Sequence, residues 1–226
     1  MSDVLTIVFP LYQGVTQLDF TGPHQFFSRL PGARVIAASQ GGTAVTADGL
    51  RFDDLVDLET IAGCDVLCVP GGGGCVDALC EPTFLASVQR LGASARFVTS
   101  VCTGSLILGA AGFLTGKRAA CHWAWRHLLP LFDAVPDPGR VVRDGRVITG
   151  GGVTAGIDFA LALVAEVAGP GAAQAIQLGL EYAPEPPFDS GRPETADPRT
   201  VARYRDGLAT LMDQRQRAIE GFLARG

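Results

Sequence analysis

Cys102 closes the run Arg96-Phe-Val-Thr-Ser-Val-Cys-Thr-Gly-Ser105, whose β-rich character ends abruptly at Cys102, Thr103 and Gly104. The residues after it, Leu106-Ile-Leu-Gly-Ala-Ala-Gly112, read as a buried helix. A cysteine at such a strand-to-helix turn projects its sulfur from the end of a sheet, and the first N–H groups of the next helix point toward it. Those donors and the helix dipole favour thiolate over thiol. The competing reading is a small buried apolar residue, a common role of free cysteine. An ordinary thiol, with a pKa near about 8.5, is only slightly ionised at neutral pH. A helix terminus supplies about 0.3–1 kcal/mol, under one pKa unit, so strong activation needs further donors. The N–H groups of Thr103 and of the loop Gly71 to Gly74 are the candidates.

Asp19, in Gln17-Leu-Asp-Phe-Thr-Gly-Pro23, is an acid between two apolar residues at a helix start. It either caps that helix or reacts, and spacing alone leaves both open. If it meets Cys102, two anions about 3.5 Å apart repel by roughly 5 kcal/mol at an effective dielectric of 20. Such a pair holds one proton between its members, giving a nucleophile and an acid in one unit. His122, beside Trp123, is either a base or a packed histidine at the sheet edge, and His24 and His127 have less to recommend them. The loop at 70–74 lacks the Lys-Ser/Thr of a phosphate loop, and Gly150-Gly-Gly152 lacks dinucleotide spacing. Their glycines fit close approach of backbone to a small ligand. Cys64-x3-Cys68 and Cys75-x4-Cys80 have no His at zinc-ligand spacing, so no metal site is expected.

The elements that must position these residues follow from apolar patterning. Buried strands are predicted at Val4 to Phe9, Ala33 to Ser39, Asp65 to Val69 and Arg96 to Val101, with hairpins at Thr43 to Phe52 and Val141 to Thr149. Helices are predicted at Gln17 to Leu30 (Gly22-Pro23 at a turn or early position), Val76 to Leu91, Val153 to Val167 and Ala172 to Glu181. This alternation implies a mainly parallel sheet with helices on both faces, and ligand sites then form at the carboxyl ends of the strands. The segments at 70–74, 102–104 and 150–152 all fall there. A Pro-rich linker is expected over 184–198, followed by one terminal helix with a stripe of Val201, Tyr204, Leu208, Leu211, Ile219 and Phe222 that packs on its own domain.

Composition narrows the class. The 226 residues are 47% hydrophobic and 18% charged, enough for one α/β domain over 1–183 with 184–226 packed on it. The net charge of -5 and the absence of a basic stripe argue against a nucleic-acid partner. No apolar run is long enough to span a bilayer, and no basic n-region or cleavage pattern precedes Val4. The expectation is therefore cytoplasmic, with reduced cysteines and no membrane partner.

The motifs Gln17-Leu-Asp-Phe-Thr-Gly-Pro23, Val69-Pro-Gly-Gly72, Thr99-Ser-Val-Cys-Thr-Gly-Ser105, His122-Trp-Ala124 and Thr149-Gly-Gly-Gly-Val-Thr-Ala-Gly-Ile-Asp158 together resemble the ThiJ/PfpI superfamily, and within it the isocyanide-hydrating branch. The resemblance runs nearly the full length, through Glu181-Tyr-Ala-Pro-x-Pro-Pro-Phe188 and the terminal helix. It implies a flavodoxin-like three-layer sandwich, a homodimer, and cofactor-free hydration of a small isocyanide by water to an N-substituted formamide. It implies Cys102 as nucleophile, Asp19 as acid/base partner and Thr103 as a required neighbour. It further implies Gly72 and Gly73 lining the site through their backbone, with Val153 near Cys102; His122 is a candidate substrate contact beside them. Val153 stands where the branch leads one to expect Ile. Peptidase-like members carry His after the cysteine, where this chain has Thr103, and the redox-chaperone branch carries Glu where it has Asp19. Two alternatives stay open: cysteine-dependent hydration or hydrolysis of another small electrophile such as an α-oxoaldehyde, and a ligand-sensing module. The sensor relatives continue into a helix-turn-helix domain, for which too few residues follow the terminal helix.

Overall fold

The computed structural model describes residues 4–225. Its strands are β1 (Leu5–Pro10), β2 (Ala33–Ser39), β3 (Val45–Ala47), β4 (Leu50–Phe52), β5 (Val56–Asp57), β6 (Val66–Val69), β7 (Phe97–Val101), β8 (Arg118–Ala119), β9 (Val135–Pro136), β10 (Val141–Asp144) and β11 (Val147–Gly150). Its helices are α1 (Gln17–Phe27), α2 (Cys75–Cys80), α3 (Pro82–Ser94), α4 (Gly104–Ala110), α5 (Ala155–Ala168), α6 (Pro170–Gly179) and α7 (Pro198–Leu223). The main sheet has the order β10-β11-β7-β6-β1-β2-β5, parallel except for the β10–β11 hairpin at its edge. Every residue of β6, β7 and β11 is buried, which is why these strands read as continuous apolar runs rather than alternating ones. Helices α1, α5 and α6 pack as one group and α2, α3 and α4 as another, forming the outer layers of a three-layer α/β sandwich. Among the described residues no helix is long and apolar enough to cross a membrane.

Register brings the informative segments together. Val69 pairs with Ser100, and Val101 pairs with Gly150. The chain therefore leaves β6, β7 and β11 at one sheet edge, setting Pro70, Cys102 and Gly151 side by side.

The expected helix Val76 to Leu91 is two helices. Pro82 cannot donate to the preceding turn, and the Glu81 side chain accepts from Phe84 N–H at 2.5 Å as the cap of a new helix. Gly22-Pro23, expected at a turn or early position, lies within α1. Pro23 packs toward Gly156, where a Cβ would come within 3.1 Å of its Cδ, so α1 and α5 approach closely. The short strands β5, β8 and β9 lack any distinctive pattern and were not expected. The terminal helix begins at a cap, Asp197, whose side chain accepts from Arg199 and Thr200 N–H groups. It packs against α2 and against the 3-10 turn Arg126–Phe132. Only part of its expected stripe is covered: Ile219 is buried, whereas Tyr204 is 49% and Leu211 40% exposed.

Candidate active site

Cys102 sits between β7 and α4 with φ +59°, in the left-handed region that costs a non-glycine residue about 1–2 kcal/mol. Its N–H donates to the Gly150 carbonyl at 3.0 Å, tying the elbow to the end of β11. Cys102 is buried, at 5% exposure. Burial, then the charge of Asp19, then Cys121 push it well above its usual range, while the Thr103 N–H beside it acts in the opposite sense.

Asp19 is fully buried. It does not cap α1; Thr16 occupies that position and Asp19 lies in the first turn. The Gly71 N–H donates to its Oδ2 at 2.9 Å, whereas Oδ1 has no hydrogen-bond partner. Burial pushes the carboxyl up to about 7; the Gly71 N–H and the nearby Cys102 thiol hold it down. With both groups raised first by burial, the pair keeps one proton above about pH 7 instead of losing both.

Thr103 completes the contact. Its Oγ1 accepts from Gly72 N–H at 2.9 Å. The loop presses so closely on these groups that a Cβ on Gly71 would lie 2.4 Å from Thr103 N and 2.9 Å from Asp19 Oδ2. Gly72 has φ +153°, and a Cβ there would meet the backbone of residues 14–16 at 2.4–2.6 Å. Of the two glycines expected to line the site, Gly72 thus holds Thr103. Gly73 is exposed and engages Arg215 through its carbonyl at 2.7 Å. Gly71 N–H, which grips Asp19, was expected only as one of the loop's possible donors.

His122 and Val153 stand in the wall of a cavity of about 220 Å³ that also includes Cys121, Gly151, Gly152 and Arg192. Val153 precedes α5 by two residues. His122 is half-buried, stacks on Trp123, and its Nδ1 accepts from Ala124 N–H at 3.3 Å. Burial first and the Arg215 charge second lower its pKa, favouring the neutral ring. The cavity wall is fixed by Ser105 and Thr149: Ser105 Oγ donates to the Ala120 carbonyl at 2.6 Å, and Ala120 N–H donates to Thr149 Oγ1 at 2.7 Å. Cys102 does not line this cavity. Its neighbour Cys121 does, and so does Gly151, which follows the carbonyl that Cys102 N–H engages. A larger cleft of about 860 Å³ adjoins it, sharing Arg140, Thr154, Gly191 and Arg192 and walled by the Pro-rich segment.

All six cysteines are free, and among the described residues no group of three or more His, Cys, Asp or Glu side chains is placed to hold a metal ion. Tyr12, whose hydroxyl donates to the Pro70 carbonyl at 2.9 Å, and Arg215 were missed by sequence reasoning. Tyr12 carries no sequence signal. Arg215 does: it fills the gap in the terminal stripe between Leu211 and Ile219.

Comparison with known proteins places the chain among relatives. The chain is 46% identical over 222 residues to an isonitrile hydratase of Pseudomonas putida, covering 98% of this chain and 97% of that one. An HTH-type transcriptional regulator of Pseudomonas aeruginosa, CdhR, is 29% identical over 60% of this chain but only 40% of its own length. A ThiJ/PfpI family protein from Pseudomonas syringae superposes with a TM-score of 0.93 at 39% identity, covering 97% of this chain and 91% of that one. The model of the DJ-1/PfpI family matches residues 5–166, and with an elbow cysteine and a glycine loop at one edge of a parallel sheet this chain belongs to that family.

Proposed function

We propose that this protein hydrates isocyanides to N-substituted formamides through a covalent thioimidate on Cys102, with no cofactor. The observation that carries the reading is Asp19: a fully buried carboxyl, gripped on one oxygen by Gly71 N–H, free on the other, and beside the Cys102 thiol. The hydratase relative, similar over nearly all of both chains, supports the substrate class.

The pair reacts from the tautomer in which the shared proton has moved from the Cys102 sulfur to Asp19; Thr103 N–H stabilises the thiolate so formed, against the burial that disfavours it. The sulfur attacks the terminal isocyanide carbon; a C–S bond forms, and the electron pair left on that carbon takes the proton from Asp19. This gives a thioimidate, R–N=CH–S–Cys102. The Asp19 carboxylate then removes a proton from water as hydroxide adds to the same carbon, and passes that proton to the nitrogen. Collapse forms the carbonyl, breaks the C–S bond and returns the hydroxyl proton to Asp19, regenerating thiolate and acid. Thr103 positions the loop and the thiolate, while Gly72, Gly73, Val153 and His122 surround the substrate path. A neutral His122 beside Val153 suits a substrate with little polarity to satisfy.

In this reading the enzyme is a cytoplasmic homodimer, and exposed Leu178, Phe188, Tyr204 and Leu211 are apolar residues available to a subunit interface. Light scattering of the purified protein tests that state.

The decisive experiment follows formation of the formamide from an aryl isocyanide, beside methylglyoxal as the rival electrophile. The isocyanide is expected to turn over and methylglyoxal not. Cys102→Ala and Cys102→Ser should each lose about 10³-fold or more in kcat. A Cys102→Ser enzyme that keeps most of the rate would overturn covalent catalysis by this residue.

A further inference from the structure

Helix α7 is largely exposed, and Arg215 and Ile219 are its buried residues. The Arg215 guanidinium stands 4.1 Å from the centre of the Trp125 ring and donates from Nη2 to the Gly73 carbonyl at 2.7 Å, across 142 residues of sequence. None of the ion pairs among the described residues includes it. A buried guanidinium without a carboxylate is unfavourable for folding, so its retention calls for another cause.

That cause lies in what it holds. After Pro70 the segment offers four consecutive glycines, 71–74, and therefore no side chains by which to fix its shape, and glycine backbone has the most freedom to lose. Its carbonyls are anchored one by one. Tyr12 hydroxyl donates to Pro70 O at 2.9 Å, Thr16 N–H to Gly71 O at 2.9 Å, and Cys75 N–H to Gly72 O at 3.3 Å. Arg215 supplies the fourth anchor, from the far end of the chain. The N–H groups of the same loop are those that engage Asp19 and Thr103.

We propose that Arg215 is a positioning residue: by pinning the Gly73 carbonyl from the terminal helix, it keeps the Gly71 and Gly72 N–H groups aimed at Asp19 and Thr103 beside Cys102. The terminal helix thereby completes a site built otherwise from the sheet edge. The guanidinium charge adds a second effect, since it favours the ionised forms of Cys75 and Tyr12 and disfavours protonation of His122. The activity arm of the test rests on the hydratase reading; the alkylation arm does not.

The experiment compares the full-length protein with Arg215→Met, which keeps the stem but removes the donor, with Arg215→Lys, and with Arg217→Met on the exposed face of the same helix. Isocyanide turnover is measured alongside the pH dependence of Cys102 alkylation by iodoacetamide, located by mass spectrometry. Arg215→Met should lower kcat about tenfold with KM within about twofold, and shift the alkylation midpoint by about half a pH unit or more. Arg215→Lys should fall between Met and wild type, and Arg217→Met should match wild type. Wild-type kcat and an unmoved alkylation midpoint in Arg215→Met would overturn the proposal. If that variant does not fold, Arg215→Gln decides, since its shorter side chain withdraws the donor from Gly73: a folded glutamine variant with both wild-type values would confine Arg215 to packing. A wild-type protein that turns over no isocyanide, while Arg215→Met still shifts the alkylation midpoint, would remove the hydratase reading and leave the positioning role intact.

Discussion

Two glycine runs leave the same edge of the sheet, and they do different physical work. In the run after β6, an added Cβ would lie 2.4 Å from the nearest atom at Gly71, 2.4 Å at Gly72 and 2.0 Å at Gly74. In the run after β11, the nearest atom would be 3.6 Å away at Gly150, 3.5 Å at Gly151 and 3.6 Å at Gly152, which is ordinary van der Waals contact. Gly71, Gly72 and Gly74 are glycine because other backbone and two site residues already occupy the space, whereas at exposed Gly73 the nearest atom would be 3.7 Å away. The second has room, and it borders a cavity instead of clamping a carboxyl. The same residue type, repeated at equivalent places, is a steric requirement in one loop and a tolerance in the other.

That contrast can be broken most severely at Gly71. Gly71→Ala should reduce isocyanide turnover as far as Cys102→Ala does. The new methyl must displace Thr103 or Asp19, and overpacking of this kind costs about 1–3 kcal/mol of stability as well. Steady-state kinetics with a urea melt checks both, and a Gly71→Ala enzyme of normal rate would remove the distinction between the loops.

A smaller effect tests why the first loop grips a carboxyl at all. Asp19→Asn should cost about 10²–10⁴-fold in kcat, the range for loss of a general acid–base group. It should also change the dependence of stability on pH. In the folded wild type the carboxyl is pushed up to about 7 from 3.8, so the folded state binds the extra proton between those values. The resulting stabilisation is full below about pH 4 and is lost as pH rises through about 7, up to about 4 kcal/mol in all. Urea melts at about pH 5 and about pH 8 should show wild type weakening relative to Asp19→Asn. Equal slopes in the two proteins would mean that Asp19 is not held as an acid.

The least effect is expected at Gly152. Gly152→Ala places a methyl 3.6 Å from His122 Cδ2 at the cavity wall. It should leave kcat within about threefold and act mainly on KM for bulky isocyanides. A loss comparable to that in Gly71→Ala would show that the second run is also a clamp.

Much of this arrangement was legible beforehand. All six predicted strand and hairpin segments occur nearly as expected because their apolar runs are short, rich in β-branched residues and mostly bounded by Gly, Pro or Asp. The elbow was legible because Cys102 interrupts such a run immediately before a helical pattern. The break at Glu81–Pro82 was missed although its signal, an acid before proline, was present. Asp19 was ambiguous because a carboxylate near a helix start can serve the backbone of its own helix, and only the packing of the loop shows it serving Gly71 instead. Arg215 was overlooked because a charge in an apolar stripe has no partner until the fold brings Gly73 to it.

The sequence by itself determined the layered α/β class, the order of the main elements and the turn that carries a cysteine, since these follow from local propensity and periodicity. Only the tertiary structure decided which groups surround that cysteine. The bonds that do so join Asp19 to Gly71 across 52 residues, Thr103 to Gly72 across 31, and Arg215 to Gly73 across 142. No spacing rule reaches so far, because contacts of that range are fixed by strand register and helix packing, not by the residues on either side.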